Sequence, residues 1–294
     1  MSASAAGASA RPVAGLREIA DRFDHVLLDQ WGALHDGGAL FPDAYRAVAA
    51  LHAAGKRVLV LSNSGKRAAE NQRRLATLGL PAELYDGVLT SGEVTWSGLR
   101  SRLEPPFAGL GQACFLVSRG NDRSVIDGLA LTLVEDAREA DFILLSGLDD
   151  DLADPEAWPA LLTEAAARGL PMLCANPDLA MFGAAGLVPG PGALAAFYER
   201  LGGRVAYLGK PHAPIFGAAR RQLGAPDPRR ILVIGDSLDH DIAGGRAAGM
   251  LTLLITSGLH REALAKAPDA SQSVRDLAIA DARMPHWIIE HLTW

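Results

Sequence analysis

Short, almost wholly apolar runs alternate with helix-length amphipathic segments along most of this chain. His25–Asp29, Arg57–Ser62 and Gly87–Thr90 read as strands, with helices over Pro42–Ala54 and Lys66–Leu78 and another from about Gly92. Strands that are apolar at nearly every position suit a sheet covered on both faces. Strand–helix alternation of this kind predicts parallel βαβ units with right-handed crossovers. The pattern repeats in a middle section, with strands at Cys114–Val117, Asp141–Ser146 and Met172–Ala175 and helices at Ser124–Leu129, Glu156–Ala167 and Gly192–Leu201. After Lys210 it resumes with a helix (Ala213–Gln222), a strand (Ile231–Ile234), a helix (His240–Ala248) and a strand (Thr252–Ile255).

The expected fold class is therefore α/β, a Rossmann-like parallel-sheet core with a large α/β unit inserted in it. The junctions are placed near 83 and 204. This gives a core of 13–83 and 204–294 and an insert of 84–203. Residues 1–12 are small and polar and read as a disordered tail. With 294 residues the chain has ample length for a sizeable core.

A formal net charge of -6 supplies no electrostatic reason for nucleic acid or an anionic membrane as partner. Any anionic substrate must be attracted locally. No apolar run is long enough to span a bilayer, and the first residues lack the apolar stretch of a signal peptide. A cytoplasmic location is expected. Cys114 and Cys174 each lie in an apolar run and read as buried thiols, not as a disulfide or a zinc site.

Ligands of an open parallel sheet bind beyond the carboxyl ends of its strands. Asp29, Ser62 and Asp236 each lie at or just past such an end. If those strands are neighbours, the three polar groups converge although they are far apart in sequence. A carboxylate can attack phosphorus and form an aspartyl-phosphate. Attack by an anion on an anion needs charge neutralisation, which Mg²⁺ supplies when held by one or two carboxylates. Lys210, after the strand-like run Val205–Leu208, adds positive charge, and Ser62 can donate to a phosphoryl oxygen.

The set resembles the haloacid dehalogenase superfamily of phosphohydrolases, in its type IIA branch of NagD-like and nitrophenylphosphatase-like proteins. Ile234-Gly235-Asp236-Ser237-Leu238-Asp239-His240-Asp241-Ile242 resembles the fourth motif, Leu208-Gly209-Lys210-Pro211 the third, and Leu61-Ser62-Asn63-Ser64 the second. Ala175-Asn176-Pro177-Asp178 and Pro189-Gly190-Pro191-Gly192-Ala193 resemble this branch's large α/β cap domain. The resemblance implies Asp29 as nucleophile and metal ligand, with Lys210 as the second catalytic group. Ser62 and Asn63 bind substrate. Asp236 and the main-chain carbonyl of Trp31 are further metal ligands, and Asp241 supports the metal site from behind. The implied cofactor is Mg²⁺, and the implied substrate is a small phosphorylated metabolite. Caps of this type often pair in homodimers.

The first motif departs from the pattern. Asp29-Gln30-Trp31-Gly32 carries an indole where the family's Asp-x-Asp-Gly has its acid/base, as in poorly characterised members that share Asp-x-Trp-Gly. The indole N–H is only a donor. A positioned acid/base contributes about 10²–10⁴-fold. The expectation is a phosphatase or phosphotransferase restricted to good leaving groups, or helped by a substitute acid. The alternative is a non-hydrolysing protein that retains the Mg²⁺ and phosphate site. Candidate substitutes are His35, Asp36, Asp178, His212 and His240, each of which also reads as a turn or helix-start residue. Gly244-Gly245 reads as close packing. Lys66 and Arg67 read as a solvated helix start or as anchors for an anion. The apolar stretch Met284–Trp294 either docks on the core or forms a dimer contact.

Overall fold

The computed structural model describes residues 10–183, 186–264, 270–278 and 283–294. Its strands are β1 (Arg11–Pro12), β2 (His25–Leu28), β3 (Arg57–Ser62), β4 (Gly87–Thr90), β5 (Ala113–Val117), β6 (Thr132–Leu133), β7 (Phe142–Leu145), β8 (Pro171–Cys174), β9 (Ala180–Gly183), β10 (Gly186–Pro189), β11 (Arg204–Tyr207), β12 (Ile231–Gly235), β13 (Leu251–Ile255) and β14 (Trp287–Ile289). The helices used below are α1 (Ala44–Ala53), α2 (Ala68–Thr77), α3 (Ser91–Ser101), α4 (Pro159–Ala167), α5 (Pro191–Arg200), α6 (Ala213–Gln222) and α7 (Ala243–Ala247).

A seven-stranded sheet runs in the order β1-β14-β13-β12-β2-β3-β4 and a five-stranded sheet in the order β11-β8-β7-β5-β6. The five-stranded sheet is parallel throughout, as are the β1–β14, β14–β13, β13–β12, β12–β2 and β2–β3 pairs of the larger one. β9 and β10 form a small antiparallel pair. The expected α/β class and parallel core are present.

The chain divides into two compact units. One comprises the stretches up to Leu61, Gln72–Val88 and Phe216–Trp294. The other comprises Ser62–Asn71 and Leu89–Ile215. The five-stranded sheet continues through β11, beyond the junction expected near 204.

The apolar patterning explains the layers. Val26, Leu27 and Leu28 of β2 and Val58 to Leu61 of β3 are buried at consecutive positions, as strands covered on both faces require. In β7 the faces separate with period two: Ile143 and Leu145 pack with α4 and α5 residues, while Phe142 and Leu144 pack with Leu99 of α3. α1 buries Ala44, Ala47, Val48 and Leu51, one stripe at helical spacing. Thr90 caps α3 by accepting from Glu93 N–H at 2.9 Å. Gly245 lets α7 lie close on the sheet, where a Cβ would meet Thr252 Cγ2 at 2.8 Å and Val233 Cγ2 at 2.9 Å.

Several boundaries differ from the sequence reading. The helix expected at Ser124–Leu129 is a 3₁₀ turn over Ser124–Ile126, followed closely by Gly128 at φ 72°. The helix expected from His240 opens as a wide π turn over Leu238–Ile242 before α7. Of the expected tail, residues 1–9 lie outside the described residues, and Arg11–Pro12 is β1. The C-terminal stretch docks on the core: β14 pairs with β13 and β1, and Met284 and Ile288 pack with Leu238, Ile242 and Leu254.

Candidate metal and phosphoryl site

β2 and β12 lie side by side, and the chain leaves them in opposite directions, β2 toward β3 and β12 toward β13. Such a reversal of strand order opens a crevice at the carboxyl ends. Asp29 follows β2, its amide still donating to Ile234 O at 2.9 Å, and Asp236 follows β12. Asp241 reaches the same point from the π turn. The three carboxylates each offer an oxygen within 4.8 Å of the others.

Close backbone approaches build this cluster. Gly32 has φ +75°, and a Cβ there would lie 1.8 Å from Asp236 Oδ2. A Cβ on Gly258 would lie 2.3 Å from the same oxygen, which accepts from Leu259 N–H at 2.8 Å. Gly235 makes room for Asp241, whose Oδ2 accepts from Ser237 N–H at 3.3 Å. Three carboxylates held this close repel one another, and an ion with a charge of two relieves that repulsion. An all-oxygen donor set suits a hard cation such as Mg²⁺, so the donors and the glycine-walled space around them fit the expected ion.

The loop after Asp29 folds back on itself. Trp31 is 41% exposed, and its ring lies so close to Gly37 that a Cβ there would meet Cη2 at 2.2 Å. His35 packs edge-on to the indole, ring centroids 5.2 Å apart, and the Arg74 guanidinium sits 5.2 Å over it. Gly37 is held at both ends, its N–H donating to His35 Nδ1 at 3.0 Å and its carbonyl accepting from Arg74 Nη2 at 2.6 Å. The acceptor role of Nδ1 puts the His35 proton on Nε2, a fully buried atom without a partner among the described residues. Burial, aided by the Arg74 charge, lowers its pKa to about 4. His35 is thus a neutral, enclosed packing group at neutral pH. Asp36 caps the turn by accepting from Gly38 and Ala39 N–H at 2.8 and 2.9 Å.

The second compact unit gathers another part of the expected set. Ser62 is the last residue of β3, and its hydroxyl oxygen accepts from Ser64 N–H at 3.2 Å, which leaves its own hydrogen to donate. Asn63 and Lys210 are buried, at 5% and 3% exposure. Asn63 Oδ1 accepts from Lys210 N–H at 2.7 Å, and Asn63 Nδ2 donates to Lys210 O at 3.1 Å and to Asp178 Oδ1 at 2.8 Å. Ser91 Oγ lies 3.4 Å from both the Ser62 carbonyl oxygen and Asn63 Oδ1, which share its one hydrogen.

The remaining candidates have structural partners. His212 stacks on Tyr207 at 4.6 Å, and His240 N–H donates to Ser237 Oγ at 3.1 Å. Arg67 pairs with Glu93 through two bonds of 2.7 and 3.0 Å and lies 3.7 Å over Trp96, so its guanidinium is engaged by side chains of α3. Lys66 pairs with Glu70. Both cysteines are buried, and burial pushes each thiol up to about 12. Sequence reading missed Gly258 and the Leu259 amide, although they follow an apolar strand as Asp29 does. It also missed Arg74 and Ser91, whose roles depend on folding back across distant segments.

Among the described residues no helix is long and apolar enough to cross a membrane. Sequence profiles described as haloacid dehalogenase-like hydrolase match residues 26–132 and 86–249, and a related hydrolase profile matches 207–292. Mouse (Mus musculus) chronophin is 30% identical over 95% of this chain and 94% of its own. A crystal structure of a haloacid dehalogenase-like hydrolase from Brucella suis superposes with a TM-score of 0.79 at 32% identity, covering 95% of this chain and 99% of that one. The magnesium complex of glycerol phosphate phosphatase from Mycobacterium tuberculosis superposes with a TM-score of 0.66 at 25% identity, over 92% of this chain and 75% of that one. With the fold of the NagD-like and nitrophenylphosphatase-like proteins, this chain belongs to the haloacid dehalogenase-like hydrolases.

Proposed function

We propose that the protein is a Mg²⁺-dependent phosphatase or phosphotransferase acting on a small phosphorylated metabolite in the cytoplasm. The observation that carries this reading is the cluster of Asp29, Asp236 and Asp241 at the strand reversal. The likeness to a glycerol phosphate phosphatase crystallised with magnesium supports both the ion and the size of substrate. Asp29, Asp236 and the Trp31 carbonyl would hold the ion, with Asp241 behind them. Bound Mg²⁺ supplies charge neutralisation on the phosphoryl oxygens.

The protein's own groups do the rest. Asp29 attacks phosphorus in line. Its Oδ–P bond forms as the bond from phosphorus to the leaving oxygen breaks, giving an aspartyl-phosphate that water then cleaves to phosphate and free Asp29. Ser62 donates to a phosphoryl oxygen, and Lys210 offsets charge on phosphoryl and nucleophile. The α/β unit expected at 84–203 acts as the cap that excludes water and selects substrate. With Trp31 in the acid/base position, the favoured substrates are acyl and aryl phosphates, whose leaving groups depart without a proton.

Turnover of acetyl phosphate and p-nitrophenyl phosphate tests this reading, with and without Mg²⁺, for the parent and Asp29→Asn. Phosphate release that needs both Mg²⁺ and Asp29 is expected. The engagement of Trp31 with Gly37, His35 and Arg74 also favours a second reading, a non-hydrolysing protein that binds a phosphorylated ligand. Tight Mg²⁺-dependent binding without release, even from acyl phosphates, would establish the second reading and sink the first. Trp31→Asp separates the causes: if hydrolysis does not rise, the missing acid/base is not the main limit.

A further inference from the structure

We propose that Asp178 is a positioning residue that acts through Asn63 on Lys210, and that Asn63 orients the lysine instead of touching substrate with its side chain. The proposal rests on the phosphoryl-transfer reading for the role of Lys210, and on local geometry for the rest.

The Asn63 amide is fully committed. Its two N–H donors go to Lys210 O and Asp178 Oδ1, and its oxygen accepts from Lys210 N–H and Ser91 Oγ. No donor is left for a phosphoryl oxygen, since a primary amide has two. Gripping one residue by both its N–H and its carbonyl fixes that peptide as a strand partner would. Lys210 needs such fixing, because its ammonium ends a flexible four-carbon stem and only the backbone sets where that stem starts. A misplacement of about 1 Å at a reacting group costs on the order of 10²-fold.

Rotation of the Asn63 amide would exchange donor for acceptor and break both bonds to Lys210. Asp178 opposes that rotation, because its carboxylate can only accept and so selects the nitrogen end. The carboxylate is itself firmly mounted. Asp178 N–H donates to Asn176 Oδ1 at 3.0 Å, and Gly192 N–H donates to Asp178 O at 2.9 Å. Gly190 and Gly192 press on the same loop, where a Cβ would come within 2.3 Å of Asp178 O and 2.0 Å of Pro177 O. Gly209 closes the other side, where a Cβ would lie 2.5 Å from Asn63 Oδ1 and 2.6 Å from Pro177 Cδ. The loop at 175–179 is thus keyed to the catalytic lysine through one amide.

A positioning acceptor and a proton donor respond differently to Asp178→Asn. The carbonyl oxygen of an asparagine still accepts from Asn63, but the side chain cannot transfer a proton at catalytic pH. The experiment measures kcat and KM for acetyl phosphate with Mg²⁺ across pH, and amide hydrogen exchange at Lys210, for the parent, Asp178→Ala and Asp178→Asn. Asp178→Ala is expected to lower kcat about 10- to 100-fold, with little change in KM, and to speed exchange at Lys210. Asp178→Asn, which can still accept from Asn63 but no longer excludes the flipped amide, should recover part of both losses with an unchanged pH profile. If Asp178→Asn is as slow as Asp178→Ala, loses a limb of the pH profile and leaves Lys210 exchange untouched, Asp178 is the proton donor and the proposal is overturned. It is equally overturned if Asp178→Ala changes neither rate nor exchange. Asp178→Ser, whose hydroxyl falls short of Asn63, replaces Asp178→Ala if that variant does not fold. A parent without phosphate release would fail the phosphoryl-transfer reading alone, because Lys210 exchange still reports the tie.

Discussion

Gly32 holds its backbone at φ +75° with the Asp236 carboxylate against its Cα. An alanine there would incur about 1 kcal/mol of backbone strain and would drive its Cβ into Asp236 Oδ2. Gly32→Ala should therefore weaken Mg²⁺ affinity on the order of 100-fold, or about 3 kcal/mol, and isothermal titration of the purified variant measures it. Parental affinity in that variant would mean that Asp236 does not help to hold the ion. Trp31 shows the other side of residue-scale reading. Its identity puts an indole, which can only donate, where the family's first motif has a carboxylate, and that is visible in the sequence. Its ring has a second role as the face on which Gly37 and Arg74 are packed, and no pattern in the sequence announces that. Trp31→Asp therefore loses a packing surface at the moment it gains a carboxylate.

At the scale of elements, the π turn over Leu238–Ile242 sets Asp241 beside Asp236, although four residues separate them in the chain. Wide turns of this kind occur often at functional sites. The C-terminal strand β14 is secured to β13 by His286, whose Nδ1 accepts from Thr252 N–H at 3.0 Å and whose Nε2 lies 2.9 Å from Arg246 Nη1. Burial first, and the Arg246 charge second, hold this imidazole below its usual value of 6.5. A depressed histidine is neutral in both folded and unfolded chains above that value. Below it the unfolded chain takes up the proton first, so its contribution to stability is complete above pH 6.5 and is lost as pH falls. The thermal midpoint of the parent should thus drop more steeply between pH 7.5 and 5 than that of His286→Gln. Parallel pH profiles would mean that His286 carries no linkage.

Over the whole molecule, the candidate groups divide between the two compact units. The carboxylates stand in one compact unit, and Asn63, Lys210 and Asp178 in the other. An ion that binds only the folded carboxylate cluster stabilises it by mass action, about 2.7 kcal/mol at a hundredfold excess over Kd. Saturating Mg²⁺ should raise the melting transition by roughly 5–10 °C. Chelation should reverse the rise and Asp236→Asn should abolish it, which calorimetry reads directly. Strand–helix alternation, and the placing of Asp29, Ser62 and Asp236 at strand ends, were legible because the parallel sheet writes its burial and its polar rim into every strand. So was the family, carried by the spacing of short motifs. Helix starts at 124 and 240 were misjudged, because a glycine or a wide turn overrides periodicity over so few residues.

Local pattern and residue type are enough to set the α/β alternation, the carboxylates at the strand ends and an indole in place of a carboxylate at position 31. Only the folded chain sets which neighbours press on those groups: Gly32 and Gly258 against Asp236, the Arg74 guanidinium over Trp31, and Asp178 reaching Lys210 through Asn63. These are contacts between segments tens to hundreds of residues apart. They depend on close backbone approach and on hydrogen-bond direction, which sequence periodicity does not record.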